Sequence, residues 1–269
     1  MNKKISIIMG VYNGSRFIRD SIESIINQTY KDWEFIIYDD CSSDNTIEII
    51  KEYAELDSRI QVFRNDMNLG LAGTLNKCLE KCKGKYIARQ DDDDISLPNR
   101  LETQIKFLED NSEYSLVGSR AYLIDKNNNI WGNSKKPVEV PKSIDLLNGP
   151  CFIHPSVMIK KDVLDELDGY NECALRVEDY DLWFRFFAKK YKAYNIQDQL
   201  IQYRLDTHSY SKRKYKYRIN EFKVKINGYK INNIPYKYRF NALKPLIIGL
   251  IPTSMMSKFH SNKFGEKHE

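Results

Sequence analysis

The sequence predicts an α/β protein built on a doubly wound, mostly parallel sheet. Two observations carry that expectation. Over the first hundred residues, short β-rich apolar runs alternate with stretches of helical periodicity, and aspartates cluster at the ends of the second and fourth runs. In such sheets right-handed crossovers leave every strand's carboxyl end on one edge, where ligands bind.

Residues 5–9, ISIIM, are continuously apolar and read as a buried strand. Residues 16–27 set Phe17, Ile18, Ile22, Ile25 and Ile26 at helical spacing. Residues 33–40, WEFIIYDD, form a second strand, and the next helix starts at the cap-like Ser43-Asp44 and carries Ile47, Ile49, Ile50 and Tyr53. A third strand at 60–64, a helix at 71–82 and a fourth strand at 85–90 complete the alternation. Beyond about residue 110 the pattern is less regular: 114–131 suits strands around a turn at 126–129, 152–159 another strand, and 179–190 an amphipathic helix. No internal repeat or low-complexity linker intervenes, so 1–110 and 111–208 are expected to form one domain, with a helical tail over 209–269.

Apolar residues at 42% and charged residues at 29% exclude wholesale disorder. Five cysteines without paired spacing, in a sequence beginning MNKKISIIMG with no apolar leader stretch, point to a reducing, cytoplasmic compartment. Cys78 and Cys82 lack a nearby Cys/His pair that could complete a zinc site, so both are expected to be buried apolar residues. Net charge is +5 and uneven: 14 Lys and Arg against 3 Asp and Glu place +11 on residues 209–269, leaving −6 on residues 1–208.

The strongest chemical signal is Asp91-Asp92-Asp93-Asp94, directly after the fourth strand. Adjacent carboxylates stay ionised together only when solvated or neutralised by a cation. Oxygen-only ligands suit a hard divalent ion, Mg2+ or Mn2+, which keeps positions open for substrate phosphates. The plainer alternative is a solvated loop in which Asp94 or Ser96 caps the helix starting near Pro98, and position at the ligand edge favours the metal. Asp39-Asp40 end the second strand, where a carboxylate can accept hydrogen bonds from a nucleoside base or ribose. The first loop offers only Gly10 and Gly14 and no GxGxxG, which argues against a dinucleotide dehydrogenase and leaves a pyrophosphate to be neutralised by metal. Glu178-Asp179 open a helix whose dipole favours carboxylates in its first turn, and beside the other two clusters they also supply a general base.

The runs IIMGVYNGSRFIRDSIESIINQTYKDWEFIIYDDCSSDNT, ARQDDDDISLPNRLETQ, CFIHPSVMIKKDVL and VEDYDLWFR, in that order within residues 4–208, resemble the family 2 glycosyltransferases with their GT-A fold. Within that family the chain looks most like bacterial enzymes of capsule, exopolysaccharide and O-antigen assembly. The resemblance implies that residues 1–110 bind a nucleotide-sugar donor, a UDP-sugar, and that residues 111–208 bind a saccharide or lipid-linked saccharide acceptor. By it, Asp40 contacts the base, and Gly10 and Tyr12 line the same pocket. Asp91 and Asp93 form the metal-binding pair, Asp93 being the closer ligand and Asp91 or Asp92 facing the ribose. Asp179, with Glu178 beside it, is the catalytic base of an inverting transfer, and His154 lies in the active-site cleft or is a satisfied core histidine.

Three departures carry expectations. Gly10 stands where proline is common, which should loosen the first loop; Asp92 stands where a small residue is usual. No Gln-x-x-Arg-Trp follows the Glu-Asp motif, which implies addition of a single sugar. Two rivals are disfavoured. A nucleotidyltransferase making nucleotide sugars needs a basic Gly-rich loop that GVYNGSRF lacks, and a non-catalytic scaffold of the same fold would have lost Asp93 or Asp179.

Between residues 210 and 244 basic residues interleave with Tyr215, Tyr217, Phe222, Tyr229, Tyr236, Tyr238 and Phe240. Nothing upstream supports a nucleic-acid partner. The following ALKPLIIGLIPTSMMSKF is broken by Pro245 and Pro252 and falls far short of the ~20 apolar residues that span a bilayer. The tail is therefore expected to lie on an anionic membrane surface, peripheral on the inner face of the cell membrane, packing on the domain being the alternative.

Overall fold

The computed structural model describes residues 4–205 and 215–250. Strands β1 (Ile5–Val11), β2 (Trp33–Asp39), β3 (Ile60–Arg64) and β4 (Tyr86–Arg89) are linked by helices α1 (Ile18–Ile26), α2 (Thr46–Leu56) and α3 (Gly70–Lys81). They lie parallel in the spatial order β3-β2-β1-β4. Every residue of β1 and β2 is buried, because helices cover both faces of the sheet. Alternate side chains of β1 enter different cores. Ile5, Ile7, Met9 and Val11 pack with Ile18, Ile22 and Ile25 of α1, whereas Ile8 packs with Leu75 and Cys78 of α3. Cys82 lies in the second of these cores, so both helical cysteines are buried.

The remainder is mixed. After β4 come β5 (Ile95–Ser96), α4 (Arg100–Asp110), β6 (Tyr114–Ile124), β7 (Ile130–Asn133), β8 (Met158–Lys160), α5 (Lys161–Glu166), α6 (Glu178–Ala188) and β9 (Lys192–Arg204). They extend the sheet as β4-β8-β6-β9-β5, with β8 antiparallel to β4 and β6, β9 parallel to β6, and β7 on β6. The turn between β6 and β7 closes on Asp125, whose Oδ1 accepts hydrogen bonds from the backbone N–H groups of Asn127 and Asn129. The strand expected over 152–159 is shortened to β8: His154–Ser156 form a 3-10 turn, with Pro155 at a position that needs no donor. β9 carries no clear period-2 signal. Its pairing with β6 shifts register in three places, so no single face alternates along its length.

Helix α7 (Tyr215–Ile231), a 3-10 segment (Tyr236–Leu243) and α8 (Lys244–Gly249) follow. Val224, Tyr229, Ile234 and Ala242 join the core that holds Trp183 and Phe184 of α6. The Tyr229 ring meets Phe184 edge-on at 5.7 Å, and Asn232 Nδ2 donates to the Phe184 carbonyl at 2.9 Å. This part of the expected tail is therefore a packing element, and its residues 209–214 and 251–269 lie outside the described residues. No helix among the described residues is long and apolar enough to cross a membrane.

Candidate active site

The chain departs from β1 to β2 on one side, and β4 returns on the other. The crevice at their carboxyl ends is a topological switch point, where open α/β sheets bind ligands. Three segments meet there: the loop after β1 with Tyr12, 53% exposed, the loop after β2 with Asp39 and Asp40, and the acidic run after β4.

A buried polar network holds the acidic run in place. Gln90 Nε2 donates to Ser21 Oγ at 2.9 Å and to the Asp94 carbonyl at 2.9 Å, while its Oε1 accepts from Ser96 Oγ at 2.7 Å and an Arg100 guanidinium nitrogen at 2.9 Å. Arg100 also donates to the Arg89 carbonyl at 2.6 Å. From β9, the Arg204 backbone N–H donates to Asp94 Oδ1 at 2.7 Å, and its Nε donates to the Asp93 carbonyl at 2.8 Å. Neither Asp94 nor Ser96 caps α4, whose N-cap residue is Asn99.

The four carboxylates divide. Asp91, Asp93 and Asp94 bring oxygens within 4.8 Å of one another, and Asp94 Oδ2 is buried without a hydrogen-bond partner. Asp92 faces the first loop; a Cβ at Gly14 would press on its carboxylate and on the Val11 side chain at 2.6 Å, so a larger residue there requires both to shift. Burial first, then the neighbouring aspartates, pushes Asp92 up to about 7 and Asp93 up to about 6 and raises Asp94 well above the usual carboxylate range. Converging oxygens, an orphaned buried one and mutual repulsion together fit a hard divalent cation.

Arg89, only 2% exposed, ion-pairs with Asp91. Its positive charge and the negative charge of Asp91 both bear on Glu178 and on Tyr170. Burial raises Glu178 above the usual carboxylate range, and Arg176 and Arg89 oppose that rise. Asp179 is half-buried and accepts a hydrogen bond from the Tyr180 backbone N–H at 2.7 Å. It lines a cavity of about 210 Å³ with Gly149, Pro150, Arg176 and Glu221, the last from α7.

Comparison with known proteins identifies the family. The family model described as glycosyl transferase family 2 matches residues 6–168. This chain belongs to glycosyl transferase family 2. It is 36% identical over 269 residues to a putative glycosyltransferase, EpsE, of Bacillus subtilis (strain 168), covering 99% of this chain and 96% of that one. It is 35% identical over 213 residues, 79% of this chain and 81% of the other, to WfgD of Escherichia coli, a UDP-Glc:alpha-D-GlcNAc-diphosphoundecaprenol beta-1,3-glucosyltransferase. The GT-A fold is shared with a mannosyltransferase, PcManGT, from Pyrobaculum calidifontis, solved with GDP-Man and Mn2+: TM-score 0.65, 16% identity, covering 98% of this chain and 81% of that one.

In this family 2 transferase several expected residues have duties of their own. Asp40, 3% exposed, accepts from the Leu69 and Gly70 backbone N–H groups at 2.8 and 2.9 Å and from Asn65 Nδ2 at 2.9 Å, anchoring the start of α3. Asp39 keeps Oδ1 buried and without a hydrogen-bond partner. Gly10 does not loosen a loop: it pairs with Tyr38 inside the sheet, and a Cβ there would meet the Thr74 methyl at 2.9 Å. His154, half-buried, has Nε2 2.9 Å from the Tyr170 hydroxyl and an edge-on contact with Trp183. Burial, then the Arg89 charge, holds its imidazole well below the ordinary range, so it is neutral.

Arg89, Arg100, Arg204, Tyr170 and Glu221 were not singled out from the sequence. For Arg100 a signal existed, since it shares the apolar stripe of α4 with Leu101, Gln104, Ile105 and Leu108. A charged residue in a buried stripe needs a dedicated partner.

Proposed function

We propose that this family 2 transferase moves one sugar from a nucleotide-diphosphate sugar, a UDP-sugar, to a hydroxyl of a lipid-linked surface saccharide, with inversion at the anomeric carbon. The observation that carries the reading is the acidic run at the switch point, where Asp91, Asp93 and Asp94 bring oxygens within 4.8 Å of one another and Asp94 Oδ2 is buried without a hydrogen-bond partner. Asp93 and Asp91, with Asp94, would hold Mg2+ or Mn2+, and such an ion when bound supplies positive charge to the departing diphosphate. Asp40 keeps a lone pair for the base through its remaining acceptor capacity, Gly10 and Tyr12 flank it, and Asp92 faces the ribose. His154 and Tyr170 form a neutral wall of the sugar site. Asp179 takes the proton of the acceptor hydroxyl, whose oxygen bonds to the anomeric carbon from the face opposite the diphosphate. The bond to the diphosphate oxygen breaks, and its electron pair leaves with the nucleotide. Glu178 stands beside Asp179 in the first turn of α6. The acceptor class and the UDP donor are supported by what WfgD is named to use, and the metal by the Mn2+ in PcManGT. The enzyme acts in the cytoplasm, at the inner face of the cell membrane.

The test is incubation of the purified protein with a panel of nucleotide sugars and Mn2+, with and without a GlcNAc-diphospholipid acceptor. Release of a nucleoside diphosphate from one donor, accelerated by acceptor and giving a product of inverted anomeric configuration by NMR, is the expected result. Pyrophosphate formation from a nucleoside triphosphate and a sugar 1-phosphate, with no transfer, would instead mean a nucleotidyltransferase.

A further inference from the structure

Helix α7 carries two apolar stripes. The inner one, with Val224 and Tyr229, is buried against the domain. The outer one, Tyr215, Ile219, Phe222 and Ile226, recurs every three or four residues, and all but Phe222 are exposed. A groove of about 470 Å³ runs along it, lined by Phe222, Ile226, Tyr236, Phe240 and Leu243. Tyr236 is 78% exposed, Phe240 76%, Ile247 61% and Leu250 73%, a concentration of large apolar side chains that marks an interaction surface.

Charge decides the partner. Lys216, Lys223, Lys230, Lys237 and Lys244 are exposed on the same segment. The single acidic residue between 215 and 250, Glu221, lines the Asp179 cavity and is ion-paired with Arg218 and Lys225. Two copies of this face would confront lysine with lysine, whereas an anionic leaflet offers both phosphates and an apolar interior.

We propose that this face is a membrane-insertion surface: Tyr236, Phe240, Ile247 and Leu250 enter the headgroup and acyl boundary of an anionic leaflet, and the lysines bind its phosphates. The proposal deepens the reading above, on which it rests for the lipid-linked acceptor. Glu221 lines the cavity of Asp179 and the adjacent Phe222 lines the groove, so α7 is the wall between them. A saccharide whose lipid stays in the leaflet is thereby presented beside the proposed base.

The experiment uses the full chain and vesicles of phosphatidylglycerol or phosphatidylcholine, sedimented at low and high salt. Wild type should pellet with phosphatidylglycerol at low salt and remain in solution with phosphatidylcholine. Tyr236→Ser with Phe240→Ser should lower the partition coefficient by roughly tenfold per aromatic removed, with an unchanged melting curve since both side chains are exposed. Lys223→Gln, Lys237→Gln and Lys244→Gln together should remove most of the salt-sensitive binding. Transfer to a soluble acceptor analogue should be unaffected in both variants, and transfer to the lipid-linked acceptor should fall. The proposal is overturned if wild type ignores phosphatidylglycerol at low salt, or if the aromatic variant partitions like wild type. It is also overturned if wild type self-associates in analytical ultracentrifugation and Phe240→Ser makes it monomeric, which gives the face to a second copy. Should the aromatic pair lower the melting temperature, unaltered sedimentation of the lysine variant overturns it. Vesicle binding without any sugar transfer would sink the transferase reading and leave this one standing.

Discussion

The parallel half and the C-terminal segment are both rich in apolar residues, and the fold uses them differently. In β1 side chains alternate between two cores, and both are covered by helices. In α7 apolar residues also point two ways, but only one side, with Val224 and Tyr229 and the edge residue Phe222, meets the domain, while Tyr215, Ile219 and Ile226 meet solvent among lysines. Apolar content therefore does not separate a core element from a surface one; the charge beside it and the element that covers it do. A second contrast lies at the crevice. The acidic run is held by buried partners on β4, α4 and β9, whereas Asp179 sits at a helix start beside an open cavity.

That contrast is broken most severely by Asp93→Ala. It should abolish metal-dependent nucleotide binding and lower transfer by on the order of 10³ or more, with the melting curve retained, because several kcal/mol of charge stabilisation is lost. Near-normal turnover, measured as nucleotide release with Mn2+, would remove the metal assignment. Asp179→Asn should keep donor affinity by calorimetry and lose ~10² to 10⁴ in turnover, the scale of a general base. Lost donor affinity with turnover little changed would make Asp179 structural.

The comparison between the two apolar regions is sharpened by Tyr229→Ala. Removal of a fully buried ring from α7 should cost ~3 to 5 kcal/mol in urea unfolding, as in any core. A loss below about 1 kcal/mol, the scale of surface substitutions, would show that α7 is docked only loosely. By the same packing, truncation after Asp206 should expose the Phe184 face of α6 and destabilise the domain, whereas serine substitutions on the outer stripe should not.

The smallest effect concerns His154. Its folded-state pKa lies below the unfolded value, so below about pH 6.5 the unfolded chain binds the extra proton and stability falls as pH drops. Above that pH the contribution vanishes. His154→Gln should flatten the stability profile between about pH 7 and about pH 5, by up to ~1.4 kcal/mol per pH unit. An unchanged profile would place the imidazole in open water in the cleft rather than in the packed contact with Tyr170 and Trp183.

The sequence by itself determined the four parallel strands, the helices between them and the edge on which the aspartates gather. Continuous apolar runs, helical spacing and the position of Asp91 to Asp94 after a strand are local properties, readable without knowing what packs where. Only the tertiary structure decided which oxygens are already engaged. Asp40 is claimed by the backbone of Leu69 and Gly70, and Asp94 by Arg204, through hydrogen bonds between residues far apart in the chain. It also decided that α7 belongs partly to the core and that β9 pairs with β6 despite an irregular pattern. Periodicity shows that residues share a face. What covers that face depends on long-range packing, which no local pattern records.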